Sequence, residues 1–318
     1  MPRTSTTVIG AGISGIACAR ALSEAGVAVQ VLDRGNRPGG RMSGRTLHGR
    51  VVDLGASYFT ATDDSPFAAV VAAWVQRGLA RPWTDTFAVA GPGGIGEVKR
   101  GPMRYAASGG LRELVVDLAR GLDVVQRRTV SDVAPGPRVD GEDCAAAVLA
   151  MPDPQARRLL ERGSLADQAL DARGWQATIA VVLGFADRQW PADLHGAFVH
   201  DSPVVDWVAD DGDRRGDGAP VLVAHTTPAF AEQHLAEPDG AVAEVVAAVR
   251  QCLGIDAEPE WTHAHRWTFA KPSSPREQPF HLAEGIGICG DGWSVPSKVQ
   301  GAWTSGHALG VELARTAG

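Results

Sequence analysis

A mixed α/β fold is what this sequence predicts, and three observations predict it. Thr6 to Ile9 is a short β-branched run that passes straight into Gly10-Ala11-Gly12-Ile13-Ser14-Gly15 and then into a helix-like stretch. Val27 to Leu32 gives a second strand ending on Asp33. Far along the chain, Gly285 to Cys289 forms another strand-like run closing on Gly290-Asp291, and a helical stretch follows to Ala317.

The first unit is strand, GxGxxG, helix, strand, acid. Gly10 permits the tight turn, Gly12 lets a pyrophosphate approach the backbone, and Gly15 lets helix and strand pack closely. The helix from Ile16 to Ala25, stopped by Gly26, turns its free N–H groups and positive dipole end toward phosphate. Asp33 stands where an acid accepts the adenosine ribose hydroxyls. The spacing predicts a Rossmann-like dinucleotide-binding unit.

Composition bounds the rest. A chain of 318 residues suggests about two domains. With 30 basic and 37 acidic side chains the net charge is −7, which lacks the basic bias of a nucleic-acid binder. No apolar run reaches the roughly 18 residues of a membrane helix, and Val8 to Cys18, broken by glycines, does not make a secretory signal. Cys18, Cys144, Cys252 and Cys289 show no CxxC pairing, which predicts neither a disulfide framework nor a zinc site and fits a reducing cytoplasm. His195, His200, His225, His263 and His265 match no zinc spacing, so no metal is expected.

Further elements follow in order. Ser65 caps a helix with Pro66 at its first position and Phe67, Val70, Val71, Trp74 and Val75 on its apolar face. Phe87 to Val98, around Pro92-Gly93-Gly94, reads as a hairpin. A helix runs from Leu111 to about Arg120. Residues 122–126, 130–133 and 145–150 read as strands, and 152–162 as a short helix. Thr178–Phe185, Val204–Ala209, Val221–Thr226 and Trp261–Phe269 are strands, and Asp239–Leu253 is an amphipathic helix stopped by Gly254. Asp210 to Gly218 (DDGDRRGDG) reads as a solvated loop.

Three motifs together resemble the FAD-binding amine oxidase superfamily: the GxGxxG turn, Gly39-Gly40-Arg41-Met42 after the ribose-binding acid, and the late Gly290-Asp291 pair. The resemblance implies non-covalent FAD held by Gly10, Gly12, Ile13, Ser14, Gly15, Asp33, Arg34, Gly40, Arg41 and Met42. Gly55, Ala56 and Ser57 of the D-x-G-A segment pass the isoalloxazine ring, and Val130 lies near the adenine. Gly290, Asp291, Val299 and Ala302 complete the set, and the last helix turns its N-terminus toward the flavin pyrimidine edge. By the same resemblance, residues 1–65, 103–152 and 280–318 form a discontinuous FAD-binding domain. It is interleaved with a smaller α+β substrate cap of residues 66–102 and 153–279.

Within that superfamily the order of segments is similar to the renalase-like branch: DLGASYFTATD, MPDPQARRLL, DWVADD, VAHTTP, HRWTFAKP and ICGDGW. This implies an enzyme that oxidises misreduced isomers of NAD(P)H by hydride transfer to flavin N5, with reoxidation by O2 to hydrogen peroxide. Thr268 and Phe269 stand where that branch carries Arg and Tyr, and Gln300 replaces a Glu. These departures keep open an amine oxidase or desaturase-type enzyme on a small secondary metabolite. A non-catalytic flavin-binding protein is the third reading. Tyr58, His225, Trp267 and Lys271 are the candidate catalytic residues, with Trp175 and Phe269 as further pocket candidates. Lys271 is singled out because amine oxidases often bridge a lysine to flavin N5 through water. The expected partners are a small reduced donor, dihydronicotinamide or amine, and O2.

Overall fold

The computed structural model describes residues 5–171 and 174–317. Thr6–Ile9 forms the first strand, and all four of its residues are buried. A strand buried on both faces belongs in the middle of a parallel sheet covered by helices. The observed six-stranded sheet has the order 281–283, 286–288, 146–149, 6–9, 29–32 and 123–125. Every pair in it is parallel except the first, His281–Ala283 against Ile286–Ile288.

The helix Ile13–Glu24 leaves the first strand through the glycine turn and packs along the last helix, Val299–Ala317. Small residues set how close the two helices come. A Cβ on Gly306 would lie 1.9 Å from the Ser14 carbonyl oxygen, and one on Gly310 2.5 Å from that of Cys18. A Cβ at such separations would clash, so no larger side chain fits between the two backbones.

A second, seven-stranded sheet runs in the order 261–272, 175–184, 221–226, 205–210, 196–199, 81–91 and 94–106. One face buries Ile179, Val181, Leu183 and Leu222 against the helices Pro228–Gln233 and Val242–Leu253. The other face buries Ala180, Val182 and Val223 against Val52 and Leu54, and Phe87 and Trp207 pack with Tyr58. The segment 52–58 therefore runs along this second sheet while following the Arg50–Asp53 strand.

Ser65 caps Pro66–Gln76 by accepting from the Ala68 N–H, and Gly254 ends Val242–Leu253 in the left-handed region, both as the sequence predicts. Four readings need correction. Residues 130–133 do not form a strand. Asp140 accepts the Ser131 and Asp132 N–H groups, Arg128 N–H bonds back to Asp33, and only Val133–Ala134 pairs with a neighbour. Val130 is buried just outside that pairing. The hairpin is longer than 87–98: its strands are Arg81–Gly91 and Gly94–Ala106. Gly196–Val199 is an unforeseen strand, joined in parallel to residues 88–90. Asp210 to Gly218 is not a solvated loop. It holds a short helix, Asp211–Arg215, in which Asp211 and Arg214 are almost wholly buried because they pair with each other. A charge run is solvated only when its charges lack partners inside.

Candidate functional site

The glycine turn supplies the first wall. Gly12 stands at the N-cap of Ile13–Glu24 with no side chain to cap it, so the first N–H groups of the helix remain free for an anion. Gly40, with φ +53°, opens the turn Gly40–Met42 directly opposite, and a Cβ on it would lie 3.1 Å from Gly12 Cα. Two bare backbones thus touch and form one surface free of side chains, along which a pyrophosphate can lie. The Ser14 side chain is buried beside the Cys289 thiol. Asp33 stands at the strand end, accepting from Ala11 N–H and Gly35 N–H at 2.6 Å each. Arg34, its neighbour, is exposed, and Met42 is buried.

Arg41 reaches from this turn to the late Gly290-Asp291 pair. Its Nη1 donates to Asp291 Oδ2 at 2.9 Å, and its Nη2 bonds Oδ1. Arg41 also donates to the Ala270 carbonyl and stacks its guanidinium 5.1 Å over the Trp175 ring. Ser297 donates to the same Asp291 Oδ2, and Ser305 accepts from Gly290 N–H. Val299 and Ala302 lie in the first turn of the last helix, beside these groups in sequence and packed on the core of the first sheet. Gln300 accepts from Thr62 N–H.

The segment 53–58 is the second wall. Ala56 N–H donates to the Arg41 carbonyl, and Gly55 lies so close to Trp267 that a Cβ would sit 3.2 Å from its ring. The Leu54 carbonyl accepts from Trp267 Nε1 at 2.9 Å and lies 3.1 Å from His225 Nε2. A carbonyl only accepts, so this contact assigns the proton of neutral His225 to Nε2. Desolvation, with the positive field of Arg214, pushes the His225 pKa down to about 4, against the pull of the Leu54 contact. The imidazole is therefore uncharged at neutral pH.

Sequence reasoning missed what holds this segment. Arg214 Nη1 donates to the Ser57 carbonyl at 2.8 Å, Trp207 Nε1 donates to Ser57 Oγ at 3.0 Å, and Arg215 pairs with Asp53 at 3.0 Å. Asp53 also accepts from Leu111 N–H at the start of the next helix. The one legible signal was the spacing in DDGDRRGDG, which sets Asp211 three and four residues before Arg214 and Arg215. Tyr58 follows, with its ring centroid 5.1 Å from that of Phe87, 5.7 Å from Trp207 and 6.3 Å from Trp83.

The structure thus brings Tyr58, His225 and Trp267 to one segment. Lys271 is not tied to them by any hydrogen bond among the described residues. It is exposed near the end of Trp261–Pro272, opposite Gln176, and its charge acts on Asp206. Thr268 is exposed, and Phe269 lies under the Arg158 guanidinium. Among the described residues no cluster of metal-ligating side chains occurs, and no helix is long and apolar enough to cross a membrane.

The residues present fit FAD. The side-chain-free surface of Gly12 and Gly40 at the uncapped helix N-terminus suits a pyrophosphate, and Asp33 suits ribose hydroxyls.

Comparison with known proteins agrees. Residues 8–74 match the NAD(P)-binding Rossmann-like domain model, and residues 88–309 match the flavin containing amine oxidoreductase model. The probable polyamine oxidase 4 of Arabidopsis thaliana is 46% identical over 68 residues, covering 21% of this chain and 14% of that protein. The neurosporene-forming phytoene desaturase of Rhodobacter capsulatus is 48% identical over 56 residues, covering 18% of this chain and 11% of the relative. The chain thus spans well under two thirds of the curated relatives it matches. Among solved structures, cyclohexylamine oxidase from Brevibacterium oxydans superposes with a TM-score of 0.76 at 13% identity, covering 99% of this chain and all of that one. A putrescine oxidase variant gives 0.72 at 16% identity, covering 97% and 98%. At such identities the likeness is one of fold.

Proposed function

The chain belongs to the flavin-containing amine oxidoreductase family, whose model spans residues 88–309, and from that premise we propose that it oxidises a small donor at a carbon bonded to nitrogen. Its cofactor is FAD, which when bound supplies the two-electron acceptor for hydride. The single observation that carries the reading is the shared Leu54 carbonyl, which sets Trp267 and His225 side by side on the cofactor-lining segment. The curated polyamine oxidase match and the fold of the amine oxidases support the same reaction class.

The residues divide the work. Gly12, Ser14, Asp33, Gly40, Arg41 and Asp291 bind and orient the cofactor. Trp267 and Tyr58 supply flat apolar surface that excludes water and aligns the donor carbon. Alignment alone lowers a hydride-transfer barrier, so the absence of a charged base at Leu54 is consistent with the chemistry. His225, neutral with its proton on Nε2, keeps Nδ1 as an acceptor for a donor N–H or O–H group. Lys271, on the same strand as Trp267, adds a cation whose charge acts on Asp206.

The two-domain division enters as part of the same proposal. Strands of the six-stranded sheet fall within 1–65, 103–152 and 280–318, and all but one strand of the larger sheet lie within 66–102 and 153–279. Gly94–Ala106 crosses the boundary at 102/103.

A second reading, oxidation of misreduced dihydronicotinamide isomers, keeps the same cofactor side and differs only in the donor, with the charge of Arg45 acting on His265 there. Anaerobic mixing of the FAD-loaded protein with primary and secondary amines, NADH, NADPH and their misreduced isomers tests both. Bleaching by amines alone establishes the first reading. Bleaching by the isomers alone establishes the second, and no bleaching by any donor sinks both.

A further inference from the structure

We propose that Arg104 is a recognition site for an oxyanion, a carboxylate or phosphate, carried by an aromatic or heteroaromatic donor. Three arginines are almost fully buried among the described residues: Arg104, Arg214 and Arg215. Arg214 and Arg215 pair with Asp211 and Asp53. Arg104, 7% exposed, has no carboxylate within ion-pair distance among the described residues; its guanidinium bonds the Tyr58 hydroxyl, but Nη1 is buried with no hydrogen-bond partner. A guanidinium cannot shed its proton, so the charge stays. Nature rarely leaves such a donor unmet, because an unpaired buried charge costs far more than the bond it forgoes.

The surroundings say what would meet it. Arg104 projects from Gly94–Ala106, with Cζ 4.0 Å from the Phe87 centroid and 6.0 Å from that of Tyr58. Trp83, Trp207 and Phe198 complete the box, each in ring contact with Phe87, and Phe198 is 38% exposed at its edge. The ring faces compensate part of the charge without satisfying Nη1. The rings pack on one another, so a planar donor bearing an oxyanion would lie against the exposed edge at Phe198 while an oxygen accepts from the guanidinium. A bare alkylammonium meets only like charge there.

Tyr58 connects this box to the cofactor-lining segment. It follows Ser57 directly, and Trp207 holds Ser57 Oγ from the box side. An oxyanion at Arg104 therefore fixes a donor whose remainder lies along residues 54–58. The inference rests on the oxidase reading for that placement, and on Arg104 alone for binding.

The test is a titration of the FAD-loaded protein with benzoate, phenyl phosphate and benzylamine, followed by tryptophan fluorescence and by the flavin absorbance band. Benzoate or phenyl phosphate binds saturably to the wild type and weakens with added chloride, and benzylamine does not bind. Arg104→Gln weakens the oxyanion by roughly 10- to 100-fold, the range of a charged hydrogen bond. Arg104→Lys, which keeps the charge and loses the fork, falls between. Which oxyanion binds more tightly identifies a carboxylate or a phosphate donor. Failure of both oxyanions to bind, an unchanged affinity in Arg104→Gln, or tighter binding of benzylamine overturns the proposal. Should Arg104→Gln not fold, Arg104→Lys and chloride competition on the wild type decide the same question. Oxyanion binding through Arg104 in a protein that no donor bleaches supports the site and counts against the oxidase reading alone.

Discussion

Arg41 and Asp291, 250 residues apart, lock the glycine turn of one motif to the acid of another through two parallel hydrogen bonds. Neither residue is fully exposed, with side-chain exposures of 29% and 10%. Such a fork-to-carboxylate pair is specific in geometry as well as favourable. It fixes the distance between the two halves of the cofactor cradle.

Asp291→Asn removes the charge and keeps the shape. We expect FAD content per chain after gel filtration to fall severalfold, with a stability loss of about 1–3 kcal/mol in urea unfolding. Unchanged flavin content would remove Asp291 from the cofactor set.

Trp267→Phe leaves the Leu54 carbonyl with His225 as its remaining side-chain partner. Loss of one donor costs about 1 kcal/mol of stability. Misalignment of the donor lowers kcat by roughly 10- to 100-fold with bound flavin unchanged, measured by stopped-flow reduction. A change in KM without a change in kcat would make Trp267 a binding residue only.

Acid destabilises this protein through its histidines. His225 and His265 both have folded-state pKa values pushed down to about 4, from an unfolded value near 6.5. Between those values the unfolded chain binds more protons, so stability is full above about pH 6.5 and falls toward pH 4. His225→Asn flattens that part of the stability–pH curve. Melting temperatures across the range check it, and an identical slope in the variant refutes the assignment.

Gly306→Ala drives a methyl group into the Ser14 carbonyl. The helices must separate, which costs about 1–3 kcal/mol and moves the phosphate-binding turn. Thermal unfolding reads the first effect, and FAD affinity reads the second.

Asp211→Asn strips charge from the buried cluster of Asp211, Arg214, Arg215 and Asp53. Breaking a buried pair from one side costs about 3–5 kcal/mol. Denaturant unfolding measures it, and a loss below about 1 kcal/mol would show the cluster to be solvated in solution.

The cofactor side was legible because it is local. Gly10 to Asp33 carries turn, helix and acid within one short window, and backbone chemistry dictates each glycine. Gly40-Arg41 and Gly290-Asp291 were legible as motifs, though their pairing came only with the structure. The donor side was not legible, because its groups act across sheets. Leu54, His225 and Trp267 meet through a backbone carbonyl that no sequence pattern marks. Arg104 stands amid a polar, mostly exposed strand and shows nothing of its burial. Arg214 was hidden for the opposite reason, since a dense run of charges looks solvated until its partners are counted.

The pairing of Thr6–Ile9 with Ala146–Leu149, and of that strand with Ile286–Ile288, has a consequence for synthesis. The phosphate-binding turn leaves the ribosome early, but Ile286–Ile288 and the helix Val299–Ala317 packed against it lie near the far end of the sequence. Local helices can form as they emerge, whereas contacts of such separation must wait for loop closure over nearly the whole chain. A nascent chain halted before Asp291 therefore exposes a glycine turn without its covering helix and retains no flavin.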